Sequence, residues 1–454
     1  MSASVSERLV EFAQQWQARG IPDDVLHEAK RLLLNQLKAS VGATDHTAIR
    51  ILHDWATDGG AHHQRAHVLW FGTPASAQQA AMVNGALFEV LDFHDTYIPT
   101  FMHAVSAVLP ALLASAEVGG QSGQQLLTAL ALGLEIELAC ATILMPTGYY
   151  RGYVPAGLVG GVGAAAACSI LAGLDAVPMR NALGLAMISA FGLYESVGSM
   201  ALSYITGATA RSGLSAFELA QRGLDAPRTA FEGEKGMFVT HTDESREKID
   251  DVLASLGKTW RIFGQSYKTI PTETITHGPV ECVLELLPRA RGRTIQRMRF
   301  SVEPIVVKIA DERRERFGNP NSELTARFDL RFCAAAAWQR GKFTLDEMRA
   351  GAYRDEKILD LRSRIDLIAD PERKTFDGCA LEIAFTDQST ESIVIDNFLG
   401  SPGRRMSDAQ LAEVFSRAAA DLLPAGRAAA ILDAVWNLDR ATNIHGLIEL
   451  AKLK

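Results

Sequence analysis

The sequence predicts a mainly α fold in which a large all-helical domain is joined to a smaller α+β domain. The chain has 454 residues, which is long for one domain and comfortable for two. Apolar residues recur at intervals of three and four up to about residue 266, as in amphipathic helices. Partly alternating, β-branched runs appear after residue 267. We therefore expect a helical domain at 1–266, completed by 401–454, and an α+β domain at 267–400.

The helical domain is predicted from amphipathic stretches separated by glycine-rich breaks. Stretches such as VSERLVEFAQQW and QQLLTALALGLEIELACATIL carry the helical period, and VGGQSG, RGLDAPRT and FEGEKG interrupt it. Residues 152–174, GYVPAGLVGGVGAAAACSILAGL, carry no charge over a length that could span a bilayer. Because most of this segment is Gly and Ala and it contains Pro155, we predict a buried central helix whose glycines let neighbouring helices approach closely.

The second domain is predicted to mix strands and helices. IQRMRFSVEPIVVKIA is predicted as a strand, and ALEIAFTDQSTESIVIDNF as two strands around a turn at TDQST. RFCAAAAWQRG and DEKILDLRSRI have helical patterns, as do SDAQLAEVFSRAAADLL and GRAAAILDAVWNL, which we expect to return to the first domain. The charged runs HTDESREKID and IADERRERFGNPNSE are expected to be solvated faces or loops.

Composition argues against several classes of function. The formal net charge of −8 disfavours binding to nucleic acid or to an anionic membrane. The five cysteines are scattered without a CxxC pair, which indicates a reducing compartment and small core residues rather than a zinc cluster. The first residues include Glu7 and Arg8 where a secretory signal would be continuously apolar. We therefore expect a cytoplasmic protein that binds neither nucleic acid nor membrane.

The segment LDFHDTYIPTFMHA, residues 91–104, is the first candidate site because it places Asp92, His94, Asp95 and His103 between two apolar runs. A metal site would need further His and Asp ligands, and the Gly- and Ala-rich helices that follow offer none at helical spacing. A proton-transfer site needs only a carboxylate that orients an imidazole, which Asp92 and His103 could supply. A polar loop in which Asp95 caps a helix is the remaining alternative.

A second candidate is MPTGYYRGYVPAG, which groups Tyr149, Tyr150, Arg151 and Tyr153 beside the glycine-rich helix. An arginine among tyrosines suits the binding of a carboxylate. Surface aromatic residues that flank a loop would give the same pattern, so both interpretations stay open.

A third candidate is SYKTIPTETITHGPVECVLEL, which begins where the helical pattern gives way to the mixed one. Lys268 and His277 therefore lie at the predicted domain boundary. Ligand clefts often form at such boundaries, so both residues are candidates for a site.

Taken together, these segments resemble the MmgE/PrpD family, which includes 2-methylcitrate dehydratase, cis-aconitate decarboxylase and iminodisuccinate epimerase. LDFHDTY followed by HAVSAVLPALLASAE is similar to the family's LDFDDT and H-P segment, and RGYVPAGLVGGVGAAAACSILAGLD to its glycine and alanine helix. GATARSGLSAFELAQRGLDAPRTAFEGEKGMF resembles the GRAARSGL segment, and SYKTIPTETITHGP resembles KPYPSCRFTHGP. The ordered set of segments carries the resemblance, not any one motif.

The resemblance implies a large helical domain, a smaller α+β lid domain, a homodimer, and chemistry without metal or organic cofactor. It also carries over Asp92, His103, Lys268 and His277 as active-site positions. A small carboxylic acid is the implied substrate.

Four positions depart from the pattern of the lyase members. Val154 stands where His usually follows R-G-F/Y, Leu202 and Ile205 replace Lys and His, and Phe332 replaces Tyr. Several groups expected to hold a tricarboxylate are therefore missing, and we expect citrate-like acids to be poor substrates.

The resulting hypothesis is a dehydratase-like lyase that moves a proton on the carbon next to a carboxylate. Lys268 is the predicted base, and His103, oriented by Asp92, is the opposing acid or base. His277 and Arg151 would hold the acid group, and the three tyrosines of the second candidate segment are weaker candidates for a proton donor. An isomerase or epimerase, a catalytically inactive binding relative and a metal hydrolase are the alternatives.

Overall fold

The chain forms two compact units in the computed structural model, which describes residues 3–58, 65–290, 292–349 and 351–453. The first unit comprises Met1–Gln265 and Ser407–Lys454, and the second comprises Ser266–Met406. The structure is 61% helix and 10% strand, which confirms the mainly α class.

The first unit consists mainly of helices. Several begin with a capping box, in which a serine side chain and a Glu or Gln three residues later satisfy each other's backbone amides, as Ser4 and Glu7 do at the start of α1. Helices are numbered in chain order through both units. Those described in this unit are α1 (Val5–Arg19), α2 (Asp23–Ser40), α3 (Thr47–Thr57), α4 (Ala77–Glu89), α5 (Ala104–Gly119), α6 (Gly123–Leu144), α7 (Thr147–Tyr150), α8 (Pro155–Leu171), α9 (Ala176–Ile188), α10 (Ala201–Gln221), α11 (Met237–His241), α12 (Arg246–Ala254), α18 (Asp408–Ala419), α19 (Arg427–Trp436) and α20 (His445–Leu450).

The prediction that this unit is entirely helical is wrong. Strands β1 (Arg65–Val68) and β2 (Thr73–Ser76) pair antiparallel between α3 and α4. Two-residue strands follow at β3 (Thr96–Tyr97) and, where the chain passes into the second unit, at β4 (Gln265–Ser266). These strands are too short to give the alternating pattern by which a sequence reveals a strand.

Helix α8 is the centre of the first unit, and every one of its residues is buried. A Cβ atom on Gly160 would lie 2.7 Å from the Cβ of Ala107, and one on Gly163 would lie 2.8 Å from the Cβ of Glu137. The neighbouring helices α5 and α6 therefore approach α8 at distances that only glycine allows. The predicted buried helix with close helix contacts is confirmed.

Among the described residues, α6 alone is both long and apolar enough to cross a membrane, with a mean hydropathy of 1.8. It packs against α8, and 89% of its apolar window is buried inside the protein. Burial of this extent is typical of a helix in the core of a globular unit.

The second unit combines a four-stranded sheet with helices. In the sheet, whose order is β6-β5-β7-β8, the β5–β6 pair is parallel and the other two pairs are antiparallel. Its described strands and helices are α13 (His277–Ala290), β5 (Ile295–Val302), α14 (Pro304–Phe317), α15 (Glu323–Ala326), α16 (Leu330–Arg340), α17 (Glu356–Ser363), β6 (Ile365–Ala369), β7 (Cys379–Phe385) and β8 (Thr390–Ile395).

Some predictions for the second unit hold and others fail. The hairpin around TDQST is confirmed as β7 and β8. The strand predicted through PIVVKIA is wrong after Val302, because Pro304 occupies the first turn of α14 and the run that follows is helical. The charged run IADERRERFGNPNSE, predicted as a solvated face or loop, continues α14 to Phe317 with Glu312, Arg314 and Glu315 exposed, and leaves the helix at Gly318.

Candidate active site

The first candidate segment connects the end of α4 to the start of α5. Glu89 is the last residue of α4, and His103 immediately precedes α5. Two non-glycine residues in the connection have left-handed backbones, Asp92 with φ 50° and Phe101 with φ 53°. Asp tolerates this conformation better than most residues, whereas a bulky Phe does so only where the surrounding structure holds it. Such turns fold the segment back on itself.

Backbone pairing fixes the position of His103. The amide of Tyr97 donates to the carbonyl of Met102 at 2.8 Å, and the amide of Met102 donates back at 3.2 Å. This pairing returns His103 to the start of the segment, where its Nδ1 donates to the carbonyl oxygen of Asp95 at 2.9 Å and lies 3.3 Å from Oγ1 of Thr96. A neutral ring that donates through Nδ1 carries its lone pair on Nε2.

The sequence predicted that the Asp92 carboxylate orients His103. In the structure, the backbone carbonyl of Asp95 orients the ring at Nδ1. The alternative in which Asp95 caps a helix is wrong. The Asp95 side chain is fully buried and accepts a hydrogen bond from Nε2 of Gln36 on α2, and the residue that precedes α5 is His103. Asp95 therefore fastens the segment to α2.

Around His94 the segment brings two imidazoles and two carboxylates together. His94 is fully buried, and its Nε2 lies 3.6 Å from Oε2 of Glu89 and 3.8 Å from Oδ1 of Asp92. Its ring meets that of His103 edge to face, with centroids 4.2 Å apart. One ligand-type atom from each of Glu89, His94 and His103 lies within 4.8 Å of the other two. We call these three residues together with Asp92 the imidazole–carboxylate cluster.

Buried carboxyl groups on α6 surround the segment with unusual electrostatics. Burial raises the pKa of Glu137 well above its usual range, and the negative charge of Asp95 raises it further. Burial also raises the pKa of Glu135 to about 7, although the amide of Ile262 donates to it at 2.8 Å and Arg261 lies 3.7 Å away. Burial and the neighbouring Asp95 therefore both favour the neutral form of the Glu137 carboxyl.

In the second candidate segment, Arg151 and Tyr149 each bind a side chain from elsewhere in the first unit. Nη2 of Arg151 donates to both carboxylate oxygens of Asp243, at 2.7 and 2.9 Å, on the exposed surface of the first unit. Tyr149 shares a hydrogen bond of 2.7 Å with the hydroxyl of Tyr194, and Tyr150 is 57% exposed.

The remaining tyrosine of that segment, Tyr153, packs against His241, with ring centroids 5.0 Å apart. Burial, and then the charge of Arg151, lower the pKa of His241. Tyr149 also contacts Phe101, with ring centroids 4.8 Å apart, and so joins this segment to the first one.

The third pair of predicted residues lies in the second unit. Lys268 is fully buried in an irregular stretch, and His277 is the first residue of α13. The His277 ring is 5.1 Å from the ring of Phe398, and the preceding turn is held by a 2.6 Å hydrogen bond between the hydroxyls of Thr272 and Thr276. Complete burial of an ammonium group and an imidazole is costly, so both are unusual components of a core.

Comparison with known proteins identifies the family. Residues 7–249 match the MmgE/PrpD N-terminal domain, and residues 270–440 match the MmgE/PrpD C-terminal domain. The chain belongs to the MmgE/PrpD family. The resemblance recognised in the sequence is therefore confirmed.

Several curated MmgE/PrpD proteins align with nearly the whole chain. Cis-aconitate decarboxylase of Mus musculus is 24% identical over 468 residues, which cover 100% of this chain and 94% of the relative. Cis-aconitate decarboxylase of Aspergillus terreus is 25% identical over 478 residues, covering 99% and 96%. The Homo sapiens protein of the same name is 24% identical over 469 residues, covering 100% and 95%.

Sequence reasoning missed Glu89 as part of the site. Further metal ligands were sought on the helices after the segment, whereas Glu89 lies before it at the end of α4. The signal was present as a carboxylate five residues ahead of His94, in a run that is otherwise apolar.

Three of the four positions that depart from the family pattern are buried. Apolar side chains pack into the core at Val154, Ile205 and Phe332.

Proposed function

We propose that this protein is a lyase of the MmgE/PrpD type that moves a proton at the carbon next to a carboxylate of a small organic acid. The observation that carries the proposal is the oriented imidazole of His103, held through Nδ1 beside the buried carboxylates of a segment that matches the family pattern. The relatives that align with the chain are named as decarboxylases, which supports a lyase.

His103 can accept or donate a proton through Nε2 because Nδ1 is occupied by the Asp95 carbonyl. A carbon acid next to a carboxylate is weak, so the reaction also needs cations or donors that stabilise the developing negative charge. Lys268 is proposed as the base of the reaction and His277 as a group that holds the substrate carboxylate. These two assignments are supported by the segment SYKTIPTETITHGP, which resembles the family segment, and by the burial of both side chains.

An isomerase or epimerase is the second candidate, and a specific observation favours it. The positions where lyase members carry His, Lys and Tyr hold apolar residues here, and Val154, Ile205 and Phe332 are buried. Dehydration of a tricarboxylate needs several cationic contacts and protonation of hydroxide, whereas epimerisation needs one acid and one base on opposite faces. We therefore expect citrate-like acids to be poor substrates.

The test is incubation in D2O with a panel of mono-, di- and tricarboxylic acids, followed by NMR. Solvent deuterium at the α-carbon with loss of water or CO2 supports the lyase, and deuterium with inversion but no loss supports the isomerase. Both His103→Ala and Lys268→Ala should lower the rate by on the order of 100-fold or more while the fold is kept.

Matched controls are His27→Ala, from an exposed pair with Asp408, and Lys342→Ala on the surface. Both should behave like the wild type. No exchange with any acid, together with ligand binding that survives loss of both His103 and Lys268, would instead indicate the inactive binding relative. The homodimer, the cytoplasmic location and the role of the second unit as a lid stay predictions, and gel filtration with light scattering tests the first.

A further inference from the structure

The imidazole–carboxylate cluster of this chain differs from the family pattern at one residue. The family segment is LDFDDT, and this chain has LDFHDT, so His94 stands where the pattern has Asp. The change adds a second imidazole next to His103 and leaves Glu89 and Asp92 close to it. Two imidazoles and one or two carboxylates form a ligand set that zinc and other divalent transition metals favour.

We propose that Glu89, His94 and His103 bind a divalent transition-metal ion of the zinc class, and that Asp92, whose Oδ1 lies 3.8 Å from Nε2 of His94, moves in as a fourth ligand. The three donor atoms lie within 4.8 Å of one another. Bonds of about 2.0–2.2 Å to a tetrahedral ion would put neighbouring donors ~3.4 Å apart. The pair formed by Glu89 and His94 is already at 3.6 Å, so side-chain rotations of ~1 Å complete the set.

The surroundings of His103 are those of a metal-binding histidine. Its Nδ1 donates to the backbone carbonyl of Asp95 at 2.9 Å, which directs the Nε2 lone pair away from that carbonyl. Histidine ligands commonly have this arrangement, since the carbonyl fixes the ring and makes the coordinating nitrogen more basic. Gln36 donates to the Asp95 side chain, so the residue that orients His103 is itself held in place by the fold.

The consequence of such an ion follows from the proposed function, on which this step rests. Coordination through Nε2 of His103 uses the lone pair that proton transfer requires. A bound ion therefore inhibits the proton-transfer reaction, and removal of the ion restores it. Restoration of the family residue at position 94 removes one imidazole ligand without removing the imidazole that transfers the proton.

The experiment measures binding without reference to turnover. Protein stripped with a chelator is dialysed against Zn²⁺ and analysed for metal, and Co²⁺ is titrated while d–d absorption is recorded. We expect one equivalent of metal in the wild type and the spectrum of a four- or five-coordinate Co²⁺ site. His94→Asp and Glu89→Gln should each weaken binding by on the order of 100-fold, and His27→Ala should leave it unchanged.

The outcomes separate this proposal from the proposed function. No saturable equivalent of metal, or full binding by both His94→Asp and Glu89→Gln with unchanged circular dichroism, overturns the metal site. Binding by the wild type together with exchange activity in the chelated protein, lost on addition of Zn²⁺, supports both proposals. Metal binding with no exchange activity in the chelated protein supports the site and overturns the proton-transfer function.

Discussion

Two segments of the first unit, residues 91–104 and 145–157, each concentrate polar and aromatic side chains between apolar runs, yet the structure uses them differently. In the first, His94 and Asp95 are fully buried, and the imidazoles and carboxylates face one another. In the second, Tyr150 is exposed and Arg151 forms a surface ion pair with Asp243.

The comparison shows that residue type is a weaker guide to a site than the burial of charge. Burying ionisable groups costs free energy unless they are paired or hydrogen-bonded, so a buried cluster of them is a stronger pointer to function than an exposed one. The first segment bears that cost beside the buried Glu135 and Glu137. The second segment keeps its charges in solvent, where an ion pair contributes little. The first is therefore the stronger candidate for chemistry.

The largest expected difference between the segments is in turnover. His103→Ala should lower solvent exchange of the substrate α-proton by on the order of 100-fold or more, because the imidazole is the proposed acid or base. Tyr149→Phe should lower it less than about tenfold, since the hydroxyl is already shared with Tyr194. Equal losses in the two variants would show that the aromatic segment also carries chemistry.

The next effect concerns the buried charge beside the first segment. Burial raises the pKa of Glu135 from its usual 4.5 to about 7. Between these values the folded state keeps a proton that the unfolded state releases, so the free energy of unfolding falls as pH rises from about 4.5 to 7. A Gln side chain cannot lose that proton. As the pH is raised from 4.5 to 8, the free energy of unfolding of Glu135→Gln should therefore rise by on the order of 3 kcal/mol relative to that of the wild type.

Urea denaturation at several pH values, with Glu11→Gln as an exposed control, measures this change. A difference between Glu135→Gln and the wild type that does not vary with pH would mean that Glu135 is ionised throughout. Burial has the largest effect on the pKa of Tyr97 and raises it, Arg261 lowers it, and Glu135 raises it by a smaller amount. A shift in the Tyr97 titration in the variant would locate the charge next to the first segment.

A smaller effect is expected from the packing that holds α4, the helix that ends in Glu89. A Cβ on Gly207 of α10 would lie 2.2 Å from the backbone carbonyl of Met82, so the helices must move apart in Gly207→Ala. Such overpacking costs about 1–3 kcal/mol in unfolding free energy. Gly446→Ala, where a Cβ meets nothing within 4 Å, is the matched control. Equal stability in the two variants, measured by urea denaturation, would contradict the tight contact.

Much of the fold could be predicted because long amphipathic helices repeat their pattern many times. The buried α8 was predicted from an uncharged run rich in Gly and Ala that contains Pro155, and the β7–β8 hairpin from two alternating runs around a turn. Helix α14 was missed because the β-branched run IVV resembles a strand, although Pro304 marks a helix start. Strand β6 was missed because its five residues follow α17 with a single residue between them.

The candidate site was predicted only in part, since its geometry depends on how the chain turns. Asp92 and His103 were predicted from the segment, but the left-handed backbones at Asp92 and Phe101 that fold it back leave no clear mark in the sequence. Glu89 was not among the predicted residues, because it lies in the apolar run before the segment. Its Oε2 lies 3.6 Å from Nε2 of His94 because the chain turns back after the end of α4 at Glu89.

The smallest expected effect is the one that most sharpens the comparison, because it concerns Arg151, which the sequence favoured as a carboxylate-binding group. If Arg151 serves mainly the surface pair with Asp243, Arg151→Ala should change the free energy of unfolding by less than about 1 kcal/mol and KM by less than about threefold. Loss of a charge-assisted contact to substrate would instead raise KM at least tenfold, since such contacts contribute about 1.5–3 kcal/mol. Arg228→Ala is the matched control, because Arg228 donates to both oxygens of Glu7 at 2.6 and 2.7 Å and is similarly exposed. Equal and small effects in the two variants place Arg151 among surface ion pairs, and a rise in KM confined to Arg151→Ala would return the second segment to the substrate site.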